Sequence, residues 1–213
     1  MLSHRDAKDL VDACSAVINA PDPSRLSLLT RAVSMVEAQY GAGWLPGDPG
    51  EGSNNWGAVT GKYLGQSFQH KDSRPETQPD GSTVQVEYTT DFRKYPTPEA
   101  GANDLARLLQ SKYSKAVAAV PDWTEVARQL YGYYLGTGPR EQAILDYAQA
   151  LSTRTAQIQA STLETFPGYV PPAPMPGEGS PTTSWPIVLA GFAVSSIITW
   201  LAVRYGPQRR RHG

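Results

Sequence analysis

Two carboxylates and one amide-rich loop are the features of this chain whose residue types and spacing can do chemistry. Glu37 lies four residues after Val33 and three before Tyr40. Those steps put it on the apolar side of a helix that also carries Leu26, Leu29 and Val36. A carboxyl there is either at the edge, in water or paired with an arginine such as Arg31, or it lines a cleft wall. In a cleft wall desolvation raises its pKa and keeps it protonated near neutral pH. A protonated carboxyl is what protonates a glycosidic leaving oxygen. The loop SNNWG, residues 53–57, sets Asn54 and Asn55 beside Trp56. Amides hydrogen-bond sugar hydroxyl and acetamido groups, and an indole face stacks on a sugar ring. The same loop also reads as a turn around a core tryptophan. A second acid, Glu76, stands in DSRPETQPDG, with Asp72, Asp80 and Asp91 as nearby competitors. Tyr133 and Tyr134, in LYGYYLGTG, are placed either to line a cleft or to pack in the core.

These residues need elements to hold them. The first twenty residues mix charges throughout, without an uninterrupted apolar run, and read as a short amphipathic helix rather than a signal peptide. Asp22 followed by Pro23 is an N-cap and first helical residue, and the stripe from Leu26 predicts a helix ending near Gly41. The stretch from about 44 to 90 is rich in Gly, Pro, Asp and Ser. Within it STVQVEYTT alternates as a strand, with QPDG as a hairpin turn. Thr97 and Pro98 open a helix through Leu105, Leu108, Leu109 and Tyr113. Residues 123–134 predict another, and residues 139–162 a last one with Ile144, Tyr147, Ala148 and Leu151 as its stripe. The expectation is a mostly helical α+β domain over residues 1–166 with one small β-hairpin lobe.

Composition changes after that domain. Residues 167–184, PGYVPPAPMPGEGSPTTS, form a stiffened Pro/Gly/Ser-rich linker. Residues 185–203 carry no charge and, at about nineteen residues, span roughly 28 Å as a helix, close to the hydrocarbon thickness of a bilayer. Trp185 and Trp200 sit near the ends, where interfacial aromatics belong. A single transmembrane helix over 185–204 is the expectation, with a buried core helix as the alternative. The basic tail 205–213 contains Arg209, Arg210 and Arg211. It predicts a C-terminus on the cytoplasmic or virion-interior side and the globular domain on the opposite face.

The 213-residue chain has a formal net charge of −1 and one cysteine, Cys14. The near balance, with basic residues scattered outside the tail, argues against nucleic-acid binding by the main body, and the tail alone could meet packaged nucleic acid. No intrachain disulfide can form. His4, His70 and His212 are too dispersed for a sequence-local metal cluster, and no phosphate-cradling glycine loop follows a strand. No cofactor is expected.

The order of these motifs resembles the bacterial cell-wall N-acetylglucosaminidases of glycoside hydrolase family 73, the type found in flagellar rod-cap proteins, autolysins and phage lysins. That family runs from a helix ending in a catalytic Glu, through a small-Gly-Trp-Gly run and an Asn-x-aromatic-Gly loop, to a β-hairpin bearing a second acid. A Phe-Arg-x-Tyr strand leading into a helix follows, and a Gly-Tyr segment closes the pattern. Here Glu37 precedes AQYGAGW, NNWGAV follows, Glu76 precedes TQPDG, FRKYPTPEAGANDLARLL begins at Phe92, and GYYLGTG begins at Gly132. The match covers roughly residues 23–152. It departs in AQYG for Ser-Gly-Trp-Gly, in an inserted LPGDPGEGS, and in the absence of the lysine that the family often carries within the loop motif. The resemblance implies a lysozyme-like fold with Glu37 as general acid and Glu76 as base or electrostatic support. Asn54, Asn55, Trp56, Tyr133 and Tyr134 would then shape the sugar site. It implies peptidoglycan glycan strands as substrate, with the bilayer met through residues 185–203. A lytic transglycosylase on the same fold, or a non-catalytic glycan-binding or structural virion membrane protein, are the alternatives. Without a signal peptide, a tail-anchored wall hydrolase suits a phage virion membrane.

Overall fold

The computed structural model of the chain describes residues 2–44, 46–78, 80–131 and 140–162. Tyr133, Tyr134, the linker, the apolar stretch 185–203 and the basic tail lie outside the described residues. Among the described residues, no helix is long and apolar enough to cross a membrane.

The helices start where capping chemistry places them. α1 (His4–Val17) follows Ser3, whose hydroxyl accepts from the Asp6 amide at 3.1 Å. α2 (Pro23–Glu37) follows Asp22, which accepts from the Arg25 amide at 3.0 Å, and Pro23 occupies the first turn, where no amide donor is needed. The antiparallel hairpin β1 (Ser67–Thr77) and β2 (Thr83–Arg93) comes next. Its register runs from Ser67↔Arg93 to Thr77↔Thr83, around a turn in which Asp80 accepts from both the amide and the hydroxyl of Ser82. α3 (Pro98–Lys112) is capped by Thr97. α4 (Ser114–Ala119), α5 (Trp123–Tyr131) and α6 (Arg140–Thr162) complete the order. The six-residue α4 has no counterpart in the sequence reading, being too short for a periodic stripe. The helix expected over 123–134 is observed over Trp123–Tyr131, and residues 132–134 lie outside the described residues. The hairpin is longer than the single alternating run suggests, because β1 draws on polar residues that pair across the turn.

α2 is not amphipathic in the expected sense. It is buried on nearly every side, because α1, α3, α4 and α6 all pack against it, and even Arg31 is 2% exposed, its Nε donating to the Ser27 carbonyl. It also stops earlier than predicted. Glu37 is its last residue, and the next turn is left-handed: Gln39 has φ 46°, Tyr40 φ 60° and Gly41 φ 80°. A non-glycine residue in that region costs about 1–2 kcal/mol, so surrounding contacts must hold the turn. A second small core, Trp44, Ala58, Phe68 and Phe92, seats the base of the hairpin, with the Trp44 and Phe68 rings 4.9 Å apart and edge-on.

One close approach joins the two parts. A Cβ built on Gly41 would lie 3.0 Å from backbone atoms of Asn54, and one on Gly101, in the first turns of α3, only 1.9 Å from the Asn54 carbonyl oxygen. Glycine to alanine in a helix ordinarily stabilises by about 1 kcal/mol. Gly101→Ala is expected to do the reverse, costing more than about 2 kcal/mol through the backbone clash. Thermal denaturation checks it, and an unchanged or raised Tm would show that the loop is not held against α3.

Candidate active site

Glu37 is where burial and charge conflict most sharply. Its side chain is 4% exposed, at the C-terminal end of a helix surrounded by other helices. Desolvation pushes its pKa up from 4.5 to about 8, and a hydrogen bond from Tyr147 pulls in the opposite direction. The negative end of the α2 dipole further disfavours ionisation there. The Tyr147 hydroxyl, reaching in from α6, donates to Glu37 Oε1 at 2.7 Å. Glu37 Oε2 is buried without a hydrogen-bond partner among the described residues. The Arg31 pairing considered from sequence is not made. At neutral pH the group is therefore a neutral acid, anchored through one oxygen and unengaged at the other.

The loop 53–57 does something different from what its composition suggests. Trp56 is fully buried, its ring 5.1 Å from that of Tyr40 and packed within the main core. Asn55 is equally buried. Its Nδ2 donates to the carbonyls of Val59 (2.9 Å) and Arg93 (3.1 Å), and its Oδ1 accepts from the Val59 amide at 2.8 Å. Asn54 takes the left-handed conformation at φ 52° and donates from Nδ2 to the Tyr95 carbonyl at 3.1 Å, while the Tyr95 amide donates to the Ser53 carbonyl at 2.8 Å. The expectation that Asn54, Asn55 and Trp56 face a sugar is corrected by these contacts. Both ends of the Asn55 amide and the Nδ2 of the half-buried Asn54 go to the chain's own backbone, and Trp56, its Nε1 without a partner among the described residues, has no indole face left to stack on a ring. The core-tryptophan reading is the one observed.

The same residues fasten the hairpin to the helical body. Arg93, at the end of β2, donates from Nη1 to Asp104 Oδ2 on α3 at 2.6 Å, and the Tyr95 hydroxyl donates to the same oxygen at 2.6 Å. Desolvation and the Asp104 carboxylate together push the Tyr95 hydroxyl pKa well above its usual range, so it stays a donor. Tyr63 lays its ring against Tyr95 at 4.6 Å.

Glu76 sits in β1 opposite Val84, one pair from the end of the hairpin. An even number of residues separates it from Phe68 and His70, so all three share one face. That face packs on Trp44, whose ring is 4.9 Å from Phe68 and 5.3 Å from His70. Glu76 is eight residues beyond Phe68, about 27 Å along the strand. No described contact joins it to Glu37. The structure thus brings Glu37, Tyr147, Tyr40 and Trp56 into one region and carries Glu76 outward to the hairpin end, where its partner Val84 on the same face is exposed. Tyr147 was visible in the sequence only as one member of an apolar stripe. A polar ring tip on that stripe, within an interior holding an unpaired acid, was the available signal.

Neither a protein-family model nor a curated protein sequence matches the chain. Among solved structures, it is similar to the catalytic domain of the autolysin Auto from Listeria monocytogenes, with 19% identity over 76% of this chain and 85% of that one and a TM-score of 0.49. It is also similar to a C-terminally truncated glycoside hydrolase domain of FlgJ from Salmonella typhimurium, with 19% identity over 74% of this chain and 99% of that one and a TM-score of 0.43.

The raised pKa of Glu37 makes stability pH-dependent in a definite direction. Below pH 4.5 the carboxyl is protonated folded and unfolded, and nothing is lost. Between 4.5 and about 8 the unfolded chain releases this proton and the folded one keeps it, so stability falls as pH rises and levels off above 8. At about 1.4 kcal/mol per pKa unit the loss reaches roughly 5 kcal/mol at most. Glu37→Gln removes this loss. The variant is expected to melt higher than the parent at pH 8 and at the same temperature at pH 4, measured by calorimetry at both pH values.

Proposed function

We propose that this chain is a glycoside hydrolase that cleaves the glycan backbone of peptidoglycan, with Glu37 as the general acid. The observation that carries the proposal is a buried carboxyl held neutral at physiological pH, fixed at one oxygen by Tyr147 and unengaged at the other. In this reading the proton on Oε2 passes to the glycosidic oxygen as the bond to the anomeric carbon breaks. The electron pair of that bond leaves with the oxygen, and the new carboxylate is stabilised by the Tyr147 hydroxyl on Oε1. Glu76, near the end of the hairpin, is the second carboxylate, taking a proton from the water that attacks the anomeric carbon. The family resemblance of residues 23–152 supports the β-1,4 linkage of N-acetylglucosamine as the bond cut.

A transglycosylase differs at one step: a hydroxyl of the sugar itself attacks in place of water, and the second acid is dispensable. The inserted LPGDPGEGS and the position of Glu76 near the hairpin tip are what keep this second reading in view. In both, residues 185–203 act as a membrane anchor and the Pro-rich linker supplies reach to a wall layer. The catalytic domain lies on the face opposite the basic tail, as a virion-membrane protein of a phage would require.

The test is cleavage of purified peptidoglycan by the full chain in detergent, with released fragments identified by mass spectrometry. Reducing N-acetylglucosamine ends are expected. Glu37→Gln is expected to lower the rate at least about 100-fold, and the parent rate is expected to fall as pH rises through about 8, where the acid loses its proton. Retained activity in Glu37→Gln would sink the proposal. Anhydromuramyl ends, with Glu76→Gln still active, would establish the transglycosylase instead.

A further inference from the structure

We propose that His4 is a positioning residue for Glu37, acting through Tyr40: it latches the left-handed turn that ends α2 and so fixes where the acid points. The inference rests on the reading of Glu37 as the general acid. Its basis is the conformation of the three residues Gln39, Tyr40 and Gly41, all at positive φ immediately after the end of α2. Glycine adopts this region freely, whereas glutamine and a bulky tyrosine do so only where their surroundings over-determine them. Gly41 is pressed against the backbone of Asn54, which blocks movement of the turn in that direction. Tyr40 is 4% exposed and lies against Trp56 on one side. On the other side its hydroxyl is 2.9 Å from His4 Nδ1, and the two rings meet edge-on at 5.7 Å.

His4 reaches this position because α1 and α2 form an antiparallel pair. Asp12 of α1 accepts from the Ser27 hydroxyl near the start of α2, so the first turn of α1 comes to rest opposite the end of α2. Burial and the nearby Arg31 and Arg154 charges hold the His4 pKa below its ordinary value. The imidazole is then neutral at neutral pH, with one nitrogen to accept and one to donate. A tyrosine hydroxyl, which does both, suits it in either tautomer. Loss of the latch removes one of the contacts that hold Tyr40 in left-handed geometry. The backbone between Glu37 and Gly41 then changes course and the carboxyl leaves its register with Tyr147.

The experiment compares His4→Phe and Tyr40→Phe, which keep a ring and remove the hydrogen bond, with His4→Asn, whose amide can restore a polar partner at the Nδ1 position. Two quantities are read on the full chain in detergent: kcat and KM on soluble peptidoglycan fragments, and the Glu37 pKa by carboxyl 13C NMR. Both Phe variants are expected to lower kcat about tenfold with KM within about twofold. The Glu37 pKa is expected to fall by about one unit or more as the carboxyl gains water. His4→Asn is expected to recover most of both. A fall in Tm with kcat and the Glu37 pKa unchanged would reduce the contact to ordinary packing and overturn the inference. Activity that survives Glu37→Gln would instead overturn the reading of the acid, and the NMR titration would still report whether the latch positions the carboxyl.

Discussion

A carboxyl taken out of water must either stay neutral or find a partner for its charge, and much of this structure follows from how Glu37 meets that condition. It sits at the end of the helix that the others surround, where both desolvation and the helix dipole oppose ionisation. Tyr147 contributes a hydrogen bond and no charge, so the site stays polar without becoming ionic. An arginine there would have depressed the pKa and left a carboxylate that has no proton to give. Arg31 is buried one helix turn and a half upstream on the same helix, yet its Nε turns back to the Ser27 carbonyl.

The loop 53–57 serves that site indirectly, as the joint between the two parts of the molecule. Asn55 spans Val59 and Arg93 with one side chain, Asn54 holds the Tyr95 carbonyl, and Trp56 fills the core beside Tyr40. The backbone of Asn54 is wedged between Gly41 and Gly101, so the end of α2, the start of α3 and the base of the hairpin meet at one residue. Only glycine permits approaches this close. Asp104 closes the joint from α3 by accepting from both Arg93 and Tyr95. These contacts fix the base of the hairpin against the helical body.

Much of this was legible before any coordinates. The caps at Asp22 and Thr97 are local signals, and α2 and α3 start where they dictate. The position of Glu37 on an apolar face follows from spacing alone, and the hairpin turn from QPDG. What escaped has physical causes. Gln39 and Tyr40 carry no mark of left-handed geometry, since the contacts that hold them come from residues distant in sequence. The resemblance did contain a trace: the family's small-Gly-Trp-Gly run has glycine where this chain has Gln39. Asn55 and Trp56 were read as ligand-facing because amides and indoles suit sugars equally well as they suit buried backbone. Periodicity reports which face is covered and says nothing of what the polar atoms on it bind.

The asymmetry of the carboxyl is what the proposed role of Glu37 as an acid draws on. A glutamic acid with both oxygens satisfied would be more stable and would have no reason to part with its proton. Here Oε1 is engaged and Oε2 is left without a protein partner, a state that costs about 1–3 kcal/mol in a folded interior. Eight other buried side-chain atoms among the described residues also lack a partner, so it is the carboxyl's proton, held by burial, that sets Oε2 apart from them. A glycosidic oxygen is an acceptor of the kind Oε2 lacks, and it becomes a better one as its bond to the anomeric carbon lengthens. In the proposed reaction, the interaction missing from the resting protein would be strongest in the transition state, where it would accelerate the reaction rather than merely tighten binding.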